Sequence, residues 1–339
     1  MIKDEYCNLF LNKCEVFILK KWNIELVRED HPYRKLLRAI DLKEFCKPLR
    51  KLFNEKKGCP GYHIESGFGA LILQWMEDLS DRELERFLQE NNAAKYFCGF
   101  SLMEKTPDHS YFSVLRSKIG TQRLAELFNT FIRELRKKGY VSNVFTFVDA
   151  STLMSKMSLW EERDRAIKQG LDKFNNEVIK KFAVDNQARM GCKGENKYWF
   201  GYKRHVSVCM KQGFITKTAI TPANLPDGKG LKHICPEESM IFADKGYCDK
   251  SAQIIMKKKR CISKAILKNN MIKKDYKRDA KISKIRMPYE NVFSKMSKKA
   301  RYIGQVKMQF QGFMQAIAHN CKKLISINSP PIFEGGCAG

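Results

Sequence analysis

Apolar residues recur at three- and four-residue intervals from Gly67 to Asn91 (Leu71, Ile72, Trp75 and Leu79, then Leu84, Phe87 and Leu88), the spacing of a buried helix face. Leu79-Ser80-Asp81-Arg82-Glu83 interrupts that run. Ser80 suits an N-cap and Glu83 follows three residues later, so a capping box starts a second helix after a tight turn. Thr106-Pro107-Asp108-His109-Ser110 marks another turn, and helical spacing resumes through Leu115 and from Leu124 to Leu135. Beyond Gly139 the period shortens. Asn143 to Val148 is a β-rich run ending at Asp149, and Tyr198 to Met210 and Phe214 to Ala223 are rich in aromatic and β-branched residues. Met240 to Ala243 is a fourth strand, again followed by an aspartate, Asp244. From about Lys281 the chain reads helical, with Pro288 suited to a first turn and Phe293, Met296, Ala300 and Ile303 forming one apolar face. These patterns predict a helical domain over 1–140 and an α/β domain over 141–327. Residues 328–339, with two Pro and three Gly, read as a frayed tail.

The length of 339 residues fits two domains, and 43% hydrophobic with 11% aromatic residues is enough for real cores. The longest apolar run, Phe68 to Met76, is far short of the ~20 residues that span a bilayer. Met1 to Lys20 interleaves acids and Asn with its apolar residues, unlike a secretory signal. No membrane role and a cytoplasmic location are therefore expected. The 12 cysteines are scattered singly with no Cys-x-x-Cys pair, which favours reduced thiols over a disulfide framework or a zinc site. His205 and Cys209 alternate along one strand and read as structural.

Charge changes the picture more. The chain carries 63 Lys+Arg against 37 Asp+Glu, a net +26. Residues 251–310 hold 18 of those cations against Asp275, Asp279 and Glu290 only. A cluster this dense repels itself unless a polyanion neutralises it, which favours a nucleic-acid partner over a merely solvated surface. Helix pairs with basic flanks suit DNA grooves, though they are also an ordinary packing unit.

No Gly-x-x-x-x-Gly-Lys-Ser/Thr loop, full dinucleotide fingerprint or Gly-x-Ser-x-Gly elbow occurs. What remains is carboxylates at strand ends, where open α/β sheets bind ligands. Asp149 and Asp244 on neighbouring strands can hold a divalent cation, and a third acid on a helix can complete a two-ion site for phosphodiester displacement. Either aspartate can equally be a cap for the turn that follows it.

Three stretches bear on this choice: Phe147-Val148-Asp149-Ala150-Ser151, Ala243-Asp244-Lys245-Gly246-Tyr247, and Arg286-x-x-x-Glu290-x-x-Phe293. Together they resemble the three signatures of bacterial insertion-sequence transposases of the DDE class. Phe200-Gly201-Tyr202-Lys203-x-His205, Thr221-Pro222-Ala223-Asn224-x-x-Asp227, Arg301-Tyr302-x-Gly304 and Asn320 fall in the family's order. Upstream, Asp30-His31-Pro32-Tyr33-Arg34 and the segments from Leu79 to Leu84 and Pro107 to Ser110 resemble its N-terminal helical domain. The resemblance implies a ribonuclease-H-like catalytic domain and two Mg²⁺ ions, replaceable by Mn²⁺, held by Asp149, Asp244 and Glu290. It further implies cleavage and strand transfer of double-stranded DNA at the element's inverted repeats, by a homodimer that pairs two ends, in association with the bacterial nucleoid. The three acids stand 95 and 46 residues apart, leaving little room for a large insertion between the last two. Arg286 would grip a phosphate or pair with Glu290, and Lys245, Tyr247 and Arg301 would face DNA. Tyr247 can equally be a packing residue. Some relatives have Tyr three residues before this Arg and Lys seven after this Glu; here those positions are Ser283 and Ser297, and Lys295 or Lys298 would take over the phosphate contact. Asp185 and Asp227 match family positions and read as helpers. Two rivals are a nuclease without strand transfer and a catalytically inactive DNA-binding relic.

Overall fold

A computed structural model describes residues 26–52, 61–155, 183–193, 197–271, 274–294 and 296–328. They form two compact units, one up to Arg123 with the chain's end from Cys321, the other from Leu124 to Asn320.

The first unit is helical. Helix α1 spans Pro32–Ala39, with proline in its first turn and the His31 ring accepting from the Tyr33 N–H. Helix α2 spans Leu42–Arg50 and is capped by Asp41. Helix α3, Ile64–Met76, buries every residue but Glu65, so it is a central helix rather than the one-sided helix the spacing predicts. The expected capping box is present: Ser80 accepts from the Glu83 N–H and Glu83 accepts from the Ser80 N–H, starting α4 at Asp81–Glu90. Helix α5, Asn92–Cys98, ends at Gly99 in the left-handed region (φ 76°), where a Cβ would be strained. Helix α6, His109–Lys137, belongs to this unit up to Arg123 and to the second from Leu124, and it breaks at Gly120 (φ 69°), between the two helical stretches legible in the sequence.

The second unit is built on one mixed sheet. Strand β1 is Phe145–Met154, β2 Arg189–Lys193, β3 Lys197–Cys209 and β4 Phe214–Pro222. Helix α7, Asp227–Ile234, leads to β5, Met240–Ala243. A 3₁₀ turn at Lys245–Tyr247, helix α8 at Lys250–Lys258 and β6 at Ile262–Ala265 follow. Helices α9, Tyr276–Ser294, and α10, Gln305–Ile327, close the chain. Strands β1 and β4 pair antiparallel with opposite edges of β3, while β5 and β6 extend the sheet parallel to β1. This is the mixed order of a ribonuclease-H-like sheet. One core packs Val148, Ile241 and Ala243 against Leu231, Ile234, Tyr247 and Ala252. Elsewhere Phe147 stacks against Tyr289 and Phe293 of α9.

Three expectations are corrected. Strand β1 does not stop at Asp149 but runs on to Met154, because the long β3 offers partners as far as Gly201. Helix α9 begins at Tyr276, where Asp275 caps the Arg278 N–H, so Pro288 and Glu290 lie inside the helix and not in its first turn. The helix ends at Ser294, so Phe293, Met296, Ala300 and Ile303 do not share a helix face, and Ile303 is exposed. Strands β2 and β6 went unpredicted. Both are short, and β6 carries Ser263 and Lys264 at its centre.

Candidate active site

Val148 of β1 pairs in parallel register with Ala243 of β5. The next residue on each strand is therefore an aspartate, and Asp149 and Asp244 emerge side by side. From that point the strands diverge. β1 continues along β3, with Asp149 opposite Val206. At β5 the chain turns into the 3₁₀ helix, whose first N–H, that of Lys245, donates to Asp244 Oδ1 at 2.6 Å. The Ala150 N–H likewise donates to Asp149 Oδ1 at 2.7 Å. The capping reading therefore holds for Asp244 but not for Asp149, which lies within β1, and each carboxylate keeps a second oxygen for other work.

Helix α9 lays the third acid against the same end of the sheet. Arg286, with only 6% of its side chain exposed, lies 3.7 Å from Asp244 Oδ1 and 3.5 Å from Glu290 Oε1. Its guanidinium sits over the Phe147 ring at 5.6 Å, a cation–π contact in a dry setting. Arg286 therefore ties the two acids together from within the protein. Burial pushes the Asp149 carboxyl up to about 6, against the Ala150 N–H and the cations Arg286 and Lys193, with the Asp244 charge adding to the rise.

The other predicted residues divide. Lys245 and Lys298 are exposed beside the site's elements, and Arg301 is partly buried. Tyr247 is fully buried in the core between the sheet, α7 and α8; of its two readings, packing is the one its burial supports. Lys295 lies outside the described residues, as do Met1 to Lys20 and the tail beyond Asn328. In the basic cluster, Lys259 and Arg260 pair with Glu237 and Glu238.

The structure adds Arg204, Gln311 and Gln315, which sequence reasoning passed over, and supplies partners for residues it named. Residues 298–300 run alongside the end of β1: Met154 N–H donates to Lys298 O at 2.7 Å and Ala300 N–H to Met154 O at 2.8 Å. Arg204 pins this strap from below, donating to Ser297 O, Ser151 Oγ and Gln315 Oε1 (3.2, 3.2 and 2.6 Å) while completely buried. Burial lowers its pKa to about 10. Gln311 adds bonds to the Arg301 N–H and to Lys299 O. Asp227 accepts from Lys203 Nζ at 2.9 Å, and buried Asp185 accepts from Tyr202 Oη and the Gly304 N–H (2.8 and 3.1 Å). Lys203 and Asp227 stand in quoted motifs; Arg204 has no sequence signal, since charge alone does not announce burial.

Two family profiles match the chain. Residues 23–118 match the family described as Transposase domain (DUF772), and residues 171–321 match the Transposase DDE domain family. Together they take in well over half of the sequence. The chain belongs to the DDE-class insertion-sequence transposases. Asp244 and Glu290 fall inside the DDE match; Asp149 lies ahead of it, placed beside them by the β1–β5 register. No solved structure matches this transposase significantly. The family implies DNA binding and DNA cutting, and its members generally use divalent metal ions. Among the described residues no three Asp, Glu, His or Cys side chains are gathered closely enough to hold an ion as they stand. The donor chemistry nevertheless fits. Asp149 and Asp244 offer hard carboxylate oxygens side by side, and Glu290 is linked to that pair through Arg286. No described helix is long and apolar enough to cross a membrane.

Proposed function

We propose that this transposase binds the terminal inverted repeats of its insertion sequence and performs metal-dependent strand cleavage and strand transfer at one site. The observation that carries this reading is the register that sets Asp149 and Asp244 side by side, with Glu290 tied to Asp244 through Arg286. Asp149, Asp244 and Glu290 would hold Mg²⁺, with Mn²⁺ able to substitute. Bound there, the ions would supply Lewis-acid stabilisation of phosphodiester displacement and a nucleophile at neutral pH.

The chain's own residues do the rest. The continuous β1–β3 ladder fixes Asp149, while the 3₁₀ cap fixes Asp244. Arg286 balances negative charge between the acids. Lys245 and Lys298 stand exposed to meet DNA phosphates by counterion release. Hydrolysis at each element end frees a 3′-OH, and that hydroxyl attacks a phosphodiester of target DNA, forming a new P–O bond as the target strand's own 3′-oxygen leaves and takes up a proton. Residues 1–140 would bind the end repeats and 141–327 would carry out the chemistry. Pairing of two ends calls for a homodimer on the DNA, working at the bacterial nucleoid in the cytoplasm.

The test is cleavage of DNA carrying the element's flanking sequence in Mg²⁺, Mn²⁺ or EDTA, beside Asp244→Asn. Metal-dependent nicking at the repeat boundary, with nicked ends joined to a second duplex and both lost in the mutant while DNA binding persists, is the expected result. Cleavage retained by Asp244→Asn would sink the assignment. Salt-sensitive binding without nicking would leave only a DNA-binding protein.

A further inference from the structure

Helix α9 presents two unlike faces. Asp279, Ile282, Arg286 and Phe293 recur at three-, four- and seven-residue steps and are buried, so they line the side turned to the sheet. Lys277, Lys281 and Lys284 follow one another at four- and three-residue steps on the opposite side, and all three are exposed. Among the described residues none of the three has an ion-pair or hydrogen-bond partner. Lys259 and Arg260 of the same basic cluster differ, since Glu237 and Glu238 neutralise them. Like charges on successive turns repel, and no acid of α9 relieves them: Asp279 is buried and Glu290 faces Arg286. At 1.5 Å per residue the row is about 10 Å long, and Lys284 lies about 9 Å before Glu290 along the helix axis. Phosphates of one DNA strand advance about 3.4 Å per step, so the row matches about three of them on a duplex laid along α9.

We propose that Lys277, Lys281 and Lys284 form the seat of target DNA, gripping successive phosphates of one strand and leading a duplex of any sequence towards Glu290. The inference rests on the transposase reading above and adds the surface that takes the second duplex. The chemistry of the face selects this occupant. Lysines act as flexible point charges that hold phosphates without reading bases. Ala280 between them offers only a methyl group, and Arg278 is committed to Asp279 and to Ala265 O at 3.0 and 3.3 Å. An element end has to be recognised by its sequence, whereas a target has only to be held.

The test combines Lys277→Gln, Lys281→Gln and Lys284→Gln in the full chain. Binding of a random-sequence duplex without end repeats is followed by fluorescence anisotropy from about 50 to about 200 mM KCl. Each lost phosphate contact flattens the slope of log affinity against log salt by about 0.9, so the triple variant should lose about 2.7 of slope. Its affinity then falls about 40-fold less than that of wild type over this range. Cleavage at the end repeats should persist, joining of the cut ends to random duplex should fall with the lost affinity, and the triple Lys→Arg variant should keep the wild-type slope. An unchanged slope overturns the target face while end binding and cleavage leave the transposase reading standing. Equal loss of end-repeat binding assigns the row to the element's ends and overturns the proposal too. A wild-type protein that neither binds nor cuts DNA overturns both readings. If the triple variant melts below wild type, the three single variants decide instead: each should flatten the slope by about 0.9, and no change in any of them overturns the proposal.

Discussion

Asp149 stands in an environment that disfavours its charge, and replacing it tests that directly. Burial lifts its carboxyl to about 6, above the ordinary value near 4 that it takes in the unfolded chain. Because the folded-state pKa is the higher one, folding favours the protonated acid, so the penalty for ionisation is full above pH 6 and vanishes below about pH 4. Each pKa unit is about 1.4 kcal/mol, so holding the carboxylate ionised at pH 8 costs about 3 kcal/mol. Asp149→Asn removes that term and keeps an oxygen for the Ala150 N–H now bonded at 2.7 Å. Desolvating the new amide takes back about 1 kcal/mol, leaving Asp149→Asn about 2 kcal/mol more stable than wild type at pH 8 in EDTA. The advantage should shrink through pH 6 and disappear by pH 4. Urea denaturation of both proteins across that range reads the difference and cancels the other titrating groups. Divalent cation should reverse the order, since ligand in hundredfold excess over Kd adds about 2.7 kcal/mol to a protein that binds it. An Asp149→Asn variant less stable than wild type at pH 8 in EDTA, or a gap independent of pH, would refute this reading of the site.

Two further substitutions probe the scaffold. Gly201 has φ 146° and faces Leu153 O so closely that an added Cβ would collide with the β1 backbone. Gly201→Ala should therefore destabilise the second unit by about 3 kcal/mol, read as a lowered urea midpoint; an unchanged midpoint would show that β1 and β3 shift freely. Asp185 accepts from Tyr202 Oη, the Gly304 N–H and the Gln187 N–H (2.8, 3.1 and 3.1 Å) while almost wholly buried. Asp185→Ala leaves those donors dry and should lose about 3 kcal/mol, and faster amide exchange at Gly304 would locate the damage.

How much of this was legible depends on how local each signal is. The Ser80–Glu83 capping box is a contract between residues three apart, and it formed as written. The β4 and β5 strands were readable because aromatic and β-branched residues are concentrated in them, and at β5 that run ends abruptly at Asp244. What could not be read was pairing. β1 outlasts its predicted end only because β3 and the 298–300 strap supply hydrogen bonds from 50 and 145 residues away. The start of α9 was missed for a related reason. Its first half is basic and weakly periodic, so it is fixed by the Asp275 cap and by Asp279, which accepts from the Leu267 N–H, and not by an apolar stripe. Pro288 misled in turn, since a first-turn preference says nothing about a helix held by tertiary contacts.

Arg204 shows why the remaining part of the site was invisible, and what it does there. A wholly buried guanidinium that donates to a hydroxyl, a backbone carbonyl and an amide oxygen is costly to desolvate, as its lowered pKa records. Its bonds reach Ser151, two residues beyond Asp149, and Ser297, seven beyond Glu290. The same cation thus fastens the strand of one proposed ligand to the segment leaving the helix of another. Arg286 makes the complementary link, from α9 to Asp244 and to Phe147 just ahead of Asp149. Two buried arginines therefore clamp α9 to β1 from either side of Glu290. Arg286 also offsets part of the repulsion among the acids that a metal-free fold would otherwise have to bear. A site that gathers the three proposed ligands needs an internal cation such as Arg286 before any external one arrives; Arg286 stands in a motif beside Glu290, whereas Arg204 carries no such mark.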